Sequence, residues 1–331
     1  MTTNKNSFKR NKKYYFTVLV GIHLDTIQKL NYSAFGLRFV KFYSPEFEEL
    51  VAGFNDFPTD PKDEFEWFKY YKAENISGLF FTDNEQALSQ FYELLTLLVP
   101  SKIGIWLDFD THYSKDEFDK ISKYKHRCNG LSIWKLMNPL YEDVKDGGIF
   151  YLTNSDVALV NKIIPKYASL RKKPLFTKFI GLYKRAYDEE KDYFKYLLLF
   201  MTIESLIKDD EITGVVYKVR RLCAVLVGAR QDDCEMIFNK TRDAYNVRSR
   251  LVHSAKNEIS NAKYLPYLHS LVCELGIFIL LSDTTLESIF KISNKLGYGQ
   301  KQSLITVKSL KSYSYMTNNW LNFYSLNKKT K

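Results

Sequence analysis

The chain has 331 residues, 45% of them hydrophobic and 16% aromatic, which suffices for two domains with packed cores and excludes a disordered chain. No apolar run approaches the roughly eighteen residues of a membrane span, and His23 and Asp25 interrupt the only apolar stretch behind the N-terminus, so a cytoplasmic protein without membrane association is expected. The net charge of +10 sits at the ends: residues 1–13 hold five Lys or Arg and no acid, residues 298–331 hold six Lys and no acid. The body is therefore not a basic DNA-binding surface, although such tails attract polyanions or simply aid solubility.

After the basic leader, 1–13, Tyr14 to Ile22 reads as a buried strand rich in β-branched and aromatic residues, and Ala34 to Phe42 as a second. Phe47 to Phe54 and Glu64 to Ala73 look helical across a Pro- and Asp-rich break. Strand and helix patterns then alternate. Gly78 to Phe81 precedes a helix over Asn84 to Leu98, and Lys102 to Leu107 precedes one over Lys115 to Tyr124. Leu131 to Leu136 and Gly148 to Leu152 read as further strands, the second leading into a helix over Ser155 to Ile163. This alternation predicts an N-terminal α/β domain over 14–165 with a partly parallel sheet.

Two features of this half bear on chemistry. Asp108, Asp110 and His112 follow a predicted strand, where carboxylates and imidazole bind a divalent metal or phosphate in open α/β sheets. A solvated loop that caps the next helix is the reading favoured here. Gly147-Gly148 lacks any phosphate-loop pattern around it and reads as a turn. Cys128, Cys223, Cys234 and Cys273 form no C-x-x-C pair, so neither a zinc site nor a disulfide framework is expected.

Two prolines, Pro165 and Pro174, flank a short basic segment, and 166–175 reads as a linker. From there the chain is helical: Phe176 to Tyr187, Tyr193 to Ile207, Val215 to Val227 closed by Gly228 as a C-cap, Asp232 to Asn257, Tyr264 to Leu281 and Leu286 to Lys295. Six helices with short polar loops predict an all-α bundle over 176–297, followed by a basic tail, 298–331. The overall class is α+β. Tyr193 to Ile207 is apolar nearly all round, as in a helix central to its domain or covered by a partner subunit.

Asp232 to Asn257 opens with Asp232 and Glu235 in the spacing of an acidic capping box. Its apolar stripe runs through Ile237, Phe238, Thr241, Ala244, Tyr245, Leu251, Val252 and Ala255. Arg248 interrupts that stripe, and a guanidinium held there needs an anion. Glu204, on the presumed buried face of the apolar helix, is the complementary charge. His253 follows five residues later at the helix end, so a fixed cation stands near a titratable imidazole. Arg250 and Arg242 lie off the stripe, as phosphate contacts or solvated charges. His23, His126 and His269 receive no role.

The segment VRRLCAVLVGARQDDCEMIFNKTRDAYNVRSRLVH, preceded by LLLFMTIESLI, resembles the HEPN superfamily, most closely the ApeA-like subgroup of bacterial anti-phage proteins. The carrying motif is Arg-x4-His, here Arg248 to His253, within the order of the preceding helices. The resemblance covers the C-terminal third. It implies a helical bundle that dimerises, bringing two Arg–His pairs to one cleft, and metal-independent endoribonuclease activity without a cofactor. Arg248 and His253 are then the catalytic residues, with Glu204, Ser249 and Tyr245 in support and Arg250 and Arg242 as RNA contacts. The family often has Asn, Asp or His after the motif Arg and Gly after the motif His; Ser249 and Ser254 stand there instead.

The chemistry agrees. RNA carries its own nucleophile, the 2′-hydroxyl, so cleavage needs a proton acceptor, a proton donor and a permanent cation for the phosphoryl oxygens. One Arg–His pair supplies half of this set, and a two-fold partner would supply the rest. The expected partners are an RNA substrate, a second copy of the chain and a phage-derived trigger at the N-terminal domain, which would sense or regulate. A non-catalytic HEPN module for dimerisation or RNA binding in a defence assembly is the alternative.

Overall fold

The computed structural model describes residues 13–20, 24–41, 44–45, 76–98, 104–112, 127–132, 154–189, 191–207, 214–253, 264–282 and 286–300. The predicted elements at 47–54, 64–73, 115–124 and 148–152, and Gly147-Gly148, lie outside them. The described residues combine helices with an antiparallel sheet, an α+β composition. Two compact units divide the chain, 1–92 with 101–151 and 93–100 with 152–331.

In the first unit, β1 (Lys13–Val20), β2 (Arg38–Lys41), β3 (Ile76–Thr82), β4 (Gly104–His112) and β5 (Arg127–Ser132) form a sheet ordered β2-β3-β1-β4-β5. Helix α1 (Leu24–Lys29) and a 3-10 helix (Tyr32–Phe35) fill the passage from β1 to β2. Among the described residues every ladder is antiparallel, where the alternation suggested a partly parallel sheet. The reason is the position of β1. The strands β3 and β4, joined through α2 (Glu85–Leu98), run the same way but stand on either side of β1. The alternation of strand and helix was a real crossover; the inserted strand makes each neighbouring pair antiparallel. The core collects Leu19, Ile27, Leu79, Phe80 and Phe91, with the Phe80 and Phe91 rings 5.3 Å apart.

The strand β4 does not stop at Leu107. It continues to His112, pairing Asp108 with Thr17 and Ser132, and His112 with Lys13 and Arg127. Asp108, Asp110 and His112 are therefore alternate positions of a central strand, not a loop, because the neighbouring strands β1 and β5 offer ladder partners on both sides.

The second unit is helical: α3 (Asn154–Leu170), α4 (Pro174–Asp188), α5 (Asp192–Glu204), α6 (Val215–Val227), α7 (Gln231–His253), α8 (Tyr264–Leu281) and α9 (Leu286–Lys295). The stretch read as a linker is the end of α3, a short turn and the start of α4. Pro165 lies inside α3, and Pro174 occupies the first turn of α4, where its missing N–H has no helical partner to lose. The compact unit also takes in α3 and residues 93–100, so the helical set reaches back beyond residue 176.

The central element is α8, buried along nearly its whole length and packed on α3, α5 and α6. Two of its polar side chains, Tyr267 and His269, are held by neighbouring groups. The Tyr183 hydroxyl donates to the Thr96 carbonyl at 2.6 Å and lies 2.9 Å from His269 Nε2. Tyr267 Oη lies 2.8 Å from Thr241 Oγ1 and donates to the Ile237 carbonyl. These bonds remove the penalty of burying hydroxyls and fix the rotation of α8 against α4 and α7. Tyr298, assigned to the tail, packs its ring 6.4 Å from Phe238. Among the described residues, no helix is long and apolar enough to cross a membrane.

Candidate functional site

The site is built on α7 and on α5, one of the helices it packs against. The capping of α7 differs in register from the expected box. The acid in the third helical position, Asp233, accepts the Arg230 backbone N–H at 3.2 Å, while Glu235 takes a hydrogen bond from the Gln231 side chain. The helix therefore starts at Gln231, one residue ahead of Asp232.

The stripe buries Cys234, Ile237, Thr241, Ala244, Tyr245 and Val247. It ends earlier than its sequence pattern. Leu251 is half-buried and Val252 is 50% exposed, so the last turn of α7 emerges from the bundle.

At the point of emergence, Arg248 Nη2 stands 3.5 Å from Glu204 Oε2. The Tyr245 hydroxyl donates to Glu204 Oε1 at 3.0 Å, and the Arg248 guanidinium carbon lies 5.3 Å from the Tyr245 ring centroid. One carboxylate thus receives a phenol and a cation, while the cation also faces the ring. Burial, and then the Glu204 charge and its hydrogen bond, push the Tyr245 phenol up to about 12. Tyr245 stays protonated as a donor across all ordinary pH. Arg248 and Glu204 retain 26% and 22% side-chain exposure. The pair is at a boundary with solvent, not in the core.

Two contacts that the sequence did not reveal brace this geometry, in series with Glu204. Tyr196 Oη donates to the Ala244 carbonyl at 2.8 Å, the Phe200 ring meets the Tyr245 ring edge-on at 5.2 Å, and Glu204 completes the series. Tyr196, Phe200 and Glu204 are spaced by four and form one ridge of α5. That spacing was the available signal. The contacts advance together along both helices, so α5 and α7 run in the same direction.

His253 is the last residue of α7 and is exposed. Among the described residues it has no hydrogen-bond partner, and it does not join the Glu204 cluster. Ser249 is half-buried beside Arg248. Arg250 is exposed, close enough to Tyr196 and Tyr264 for its charge to oppose the upward push of burial on both phenols. Arg242 is exposed and pairs with its neighbour Asp243 at 3.0 Å. The structure therefore brings together Glu204, Tyr245 and Arg248, and leaves His253, Arg250 and Arg242 facing solvent on the same helix.

One face of α5 carries exposed apolar side chains. Phe194 is 44% exposed and Met201 46%, and they lie seven residues apart, with Glu204 three further on. Leu197 and Leu198 between them are half-buried. Among the described residues, no group of three or more His, Cys, Asp or Glu converges as metal ligands would. The chain matches no protein-family model, no curated protein and no solved structure.

Proposed function

We propose that the chain is an endoribonuclease of HEPN type that works as a homodimer, with Arg248 and His253 as the reacting pair. The observation that carries this reading is the placement of Arg248. It is a permanent cation, oriented by Glu204 and Tyr245 and still open to solvent, one and a half turns ahead of an exposed imidazole. On that reading the 2′-oxygen attacks the adjacent phosphorus, its proton passes to one imidazole, and the bond to the 5′-oxygen breaks. The leaving oxygen takes a proton from a second, protonated imidazole, and a 2′,3′-cyclic phosphate and a 5′-hydroxyl result. Arg248 holds the phosphoryl oxygens as negative charge accumulates on them.

Each chain contributes one such histidine, so the second comes from a copy seated on the exposed apolar face of α5 and the end of α7. No cofactor is invoked. The bundle of α4–α9 carries the chemistry, and the N-terminal sheet unit receives the regulating signal. A role in defence against phage, with a phage-derived trigger, or as a growth-arresting toxin in the cytoplasm, rests on the family resemblance.

Purified protein is expected to cut RNA in the presence of EDTA, and Arg248→Ala and His253→Ala are each expected to abolish cutting. Undiminished cutting by both variants removes this reading. Loss of activity on chelation or on Asp108→Ala would transfer it to the β4 residues.

One observation favours a second reading. The charge of Arg248 is already met inside the chain by Glu204, as suits a non-catalytic module for dimerisation or RNA binding. That module binds RNA without cutting it, and its binding survives His253→Ala.

A further inference from the structure

Earlier along α7 lies a cluster centred on groups that the proposed cutting chemistry does not use. Phe238 is the hub. The Arg220 guanidinium carbon sits 3.7 Å from the Phe238 ring centroid, and Arg220 Nε donates to the Phe238 carbonyl at 3.0 Å. Tyr217 meets the same ring edge-on at 5.8 Å, and Tyr298 lies against it from the end of the described chain. Arg242 follows Phe238 by four residues and so shares its face. Burial, and next the like charge of Arg242, push the Arg220 guanidinium down from its ordinary value, so two cations feel one another here. Asp243 is the acid beside them, already engaged by Arg242 Nε.

Three properties of this cluster point to one kind of partner. Tyr217 is 55% exposed, the most exposed large hydrophobic side chain among the described residues, so an aromatic surface is open to solvent. Arg220 is a planar cation pinned through Nε and the ring, which fixes the direction of its terminal amino groups. Next to Tyr298, the Arg221 side chain donates to the Asn294 and Leu296 carbonyls at 3.2 and 2.9 Å and anchors the end of α9. From Gln300 the sequence continues with six Lys and no acid. A flat π surface, flanking guanidinium groups and a basic continuation match a flexible polyanion with exposed bases. They do not match a rigid duplex, whose bases are stacked away.

We propose that the Tyr217–Arg220–Arg242 face binds an unpaired stretch of RNA, a base stacking on Tyr217 and the neighbouring phosphates meeting Arg220 and Arg242. This rests on RNA being the partner of the chain, and it adds an anchoring surface N-terminal to Arg248 and His253 along α7. Arg242 is then a positioning residue for the strand. Cutting chemistry belongs to the last turns of the helix.

The test is fluorescence anisotropy of the full chain with a fluorescein-labelled 2′-O-methyl oligouridine, which has bases and phosphates but cannot be cut. Stacking of one base contributes about 1–3 kcal/mol, so Tyr217→Ala is expected to weaken binding by roughly five-fold or more, and Tyr217→Phe to restore it. Arg242→Gln is expected to weaken binding and to flatten the dependence of log K on log salt by about 0.7, the value for one phosphate on a single strand. Both side chains are exposed, so thermal midpoints should match wild type. A Tyr217→Ala/Arg242→Gln chain that binds as tightly as wild type overturns the proposal, as does equal competition by a duplex of the same length. The outcome is separable from the nuclease reading. A chain that binds through this face yet cuts no RNA refutes the nuclease and leaves the anchor standing. Full-rate cutting by a chain whose binding ignores Tyr217 and Arg242 does the reverse.

Discussion

His269 received no role from the sequence, and the structure gives it a structural one with a measurable consequence. It is fully buried, its ring stacks on Tyr183 at 5.6 Å, and Nε2 shares a hydrogen bond with that tyrosine. Burial, with the nearby Lys195 charge second, pulls its pKa down to about 3. In the unfolded chain the imidazole takes a proton near its ordinary value of about 6.5. Between about pH 6.5 and 3 the unfolded state therefore binds a proton that the folded state does not, and stability falls as the pH falls through that window. Asp188 titrates on the acid side as well, its carboxyl pushed up chiefly by burial, so the comparison must be made between variants. Urea unfolding of wild type and His269→Gln at pH 7 and pH 5 is the measurement. The wild type should lose about 1 kcal/mol more per pH unit than the variant; equal losses would show that His269 does not contribute. At the site itself, Tyr245→Phe removes a hydrogen bond to a carboxylate at 3.0 Å. It should lower stability by about 1 kcal/mol in urea unfolding and slow cutting, because Glu204 then holds Arg248 alone.

At the scale of the helices, the turn between α6 and α7 sets where the site lies. Gly228 closes α6 as its C-cap, donating its N–H to the Ala224 carbonyl, and its φ of −62° and ψ of 134° make an extended conformation open to any residue. Its requirement for glycine is closeness. A Cβ there would stand 2.7 Å from the Ala224 carbonyl oxygen and 2.8 Å from the Cys234 backbone nitrogen. Backbone atoms cannot rotate aside, so Gly228→Ala should destabilise by about 1–3 kcal/mol, checked by thermal unfolding; a neutral result would mean that the turn has slack. The same turn shows why part of the fold was legible. Periodicity located α5 to α9 within a few residues, because each helix buries one stripe, and the charge logic of a lone Arg in a stripe pointed to Glu204. Periodicity cannot see partners. It gave no sign that β1 inserts between β3 and β4, because strand order depends on side-chain fit across the sheet. It extended the stripe to Leu251 and Val252, because an exposed apolar residue carries the same letter as one in a core. Tyr196 and Phe200 were read as generic apolar residues, although their spacing from Glu204 makes them the brace of the site.

At the scale of the whole molecule, the proposed homodimer accounts for both the exposed apolar residues and the incomplete catalytic set. Phe194, Met201 and Val252 are each between 44% and 50% exposed, and they lie on α5 and the last turn of α7, the two helices that hold the Glu204–Arg248 pair. Burying such side chains against a second copy contributes roughly 1.5–3 kcal/mol for each that becomes fully covered, and a two-fold interface doubles every contact. On the proposed nuclease reading, the same association sets two His253 imidazoles around one phosphate, as base and as acid. Oligomeric state and cutting should therefore fail together. Met201→Glu places a charge on the face without touching the core, since Met201 already faces solvent, and its thermal midpoint should stay close to that of wild type. Sedimentation should show dimers for wild type at micromolar concentration and monomers for the variant. RNA cutting should fall by about a hundredfold or more, the usual contribution of one proton-transfer group. A monomeric Met201→Glu chain that cuts at the wild-type rate would mean that one Arg248 and one His253 suffice, and that the exposed face of α5 serves a different partner.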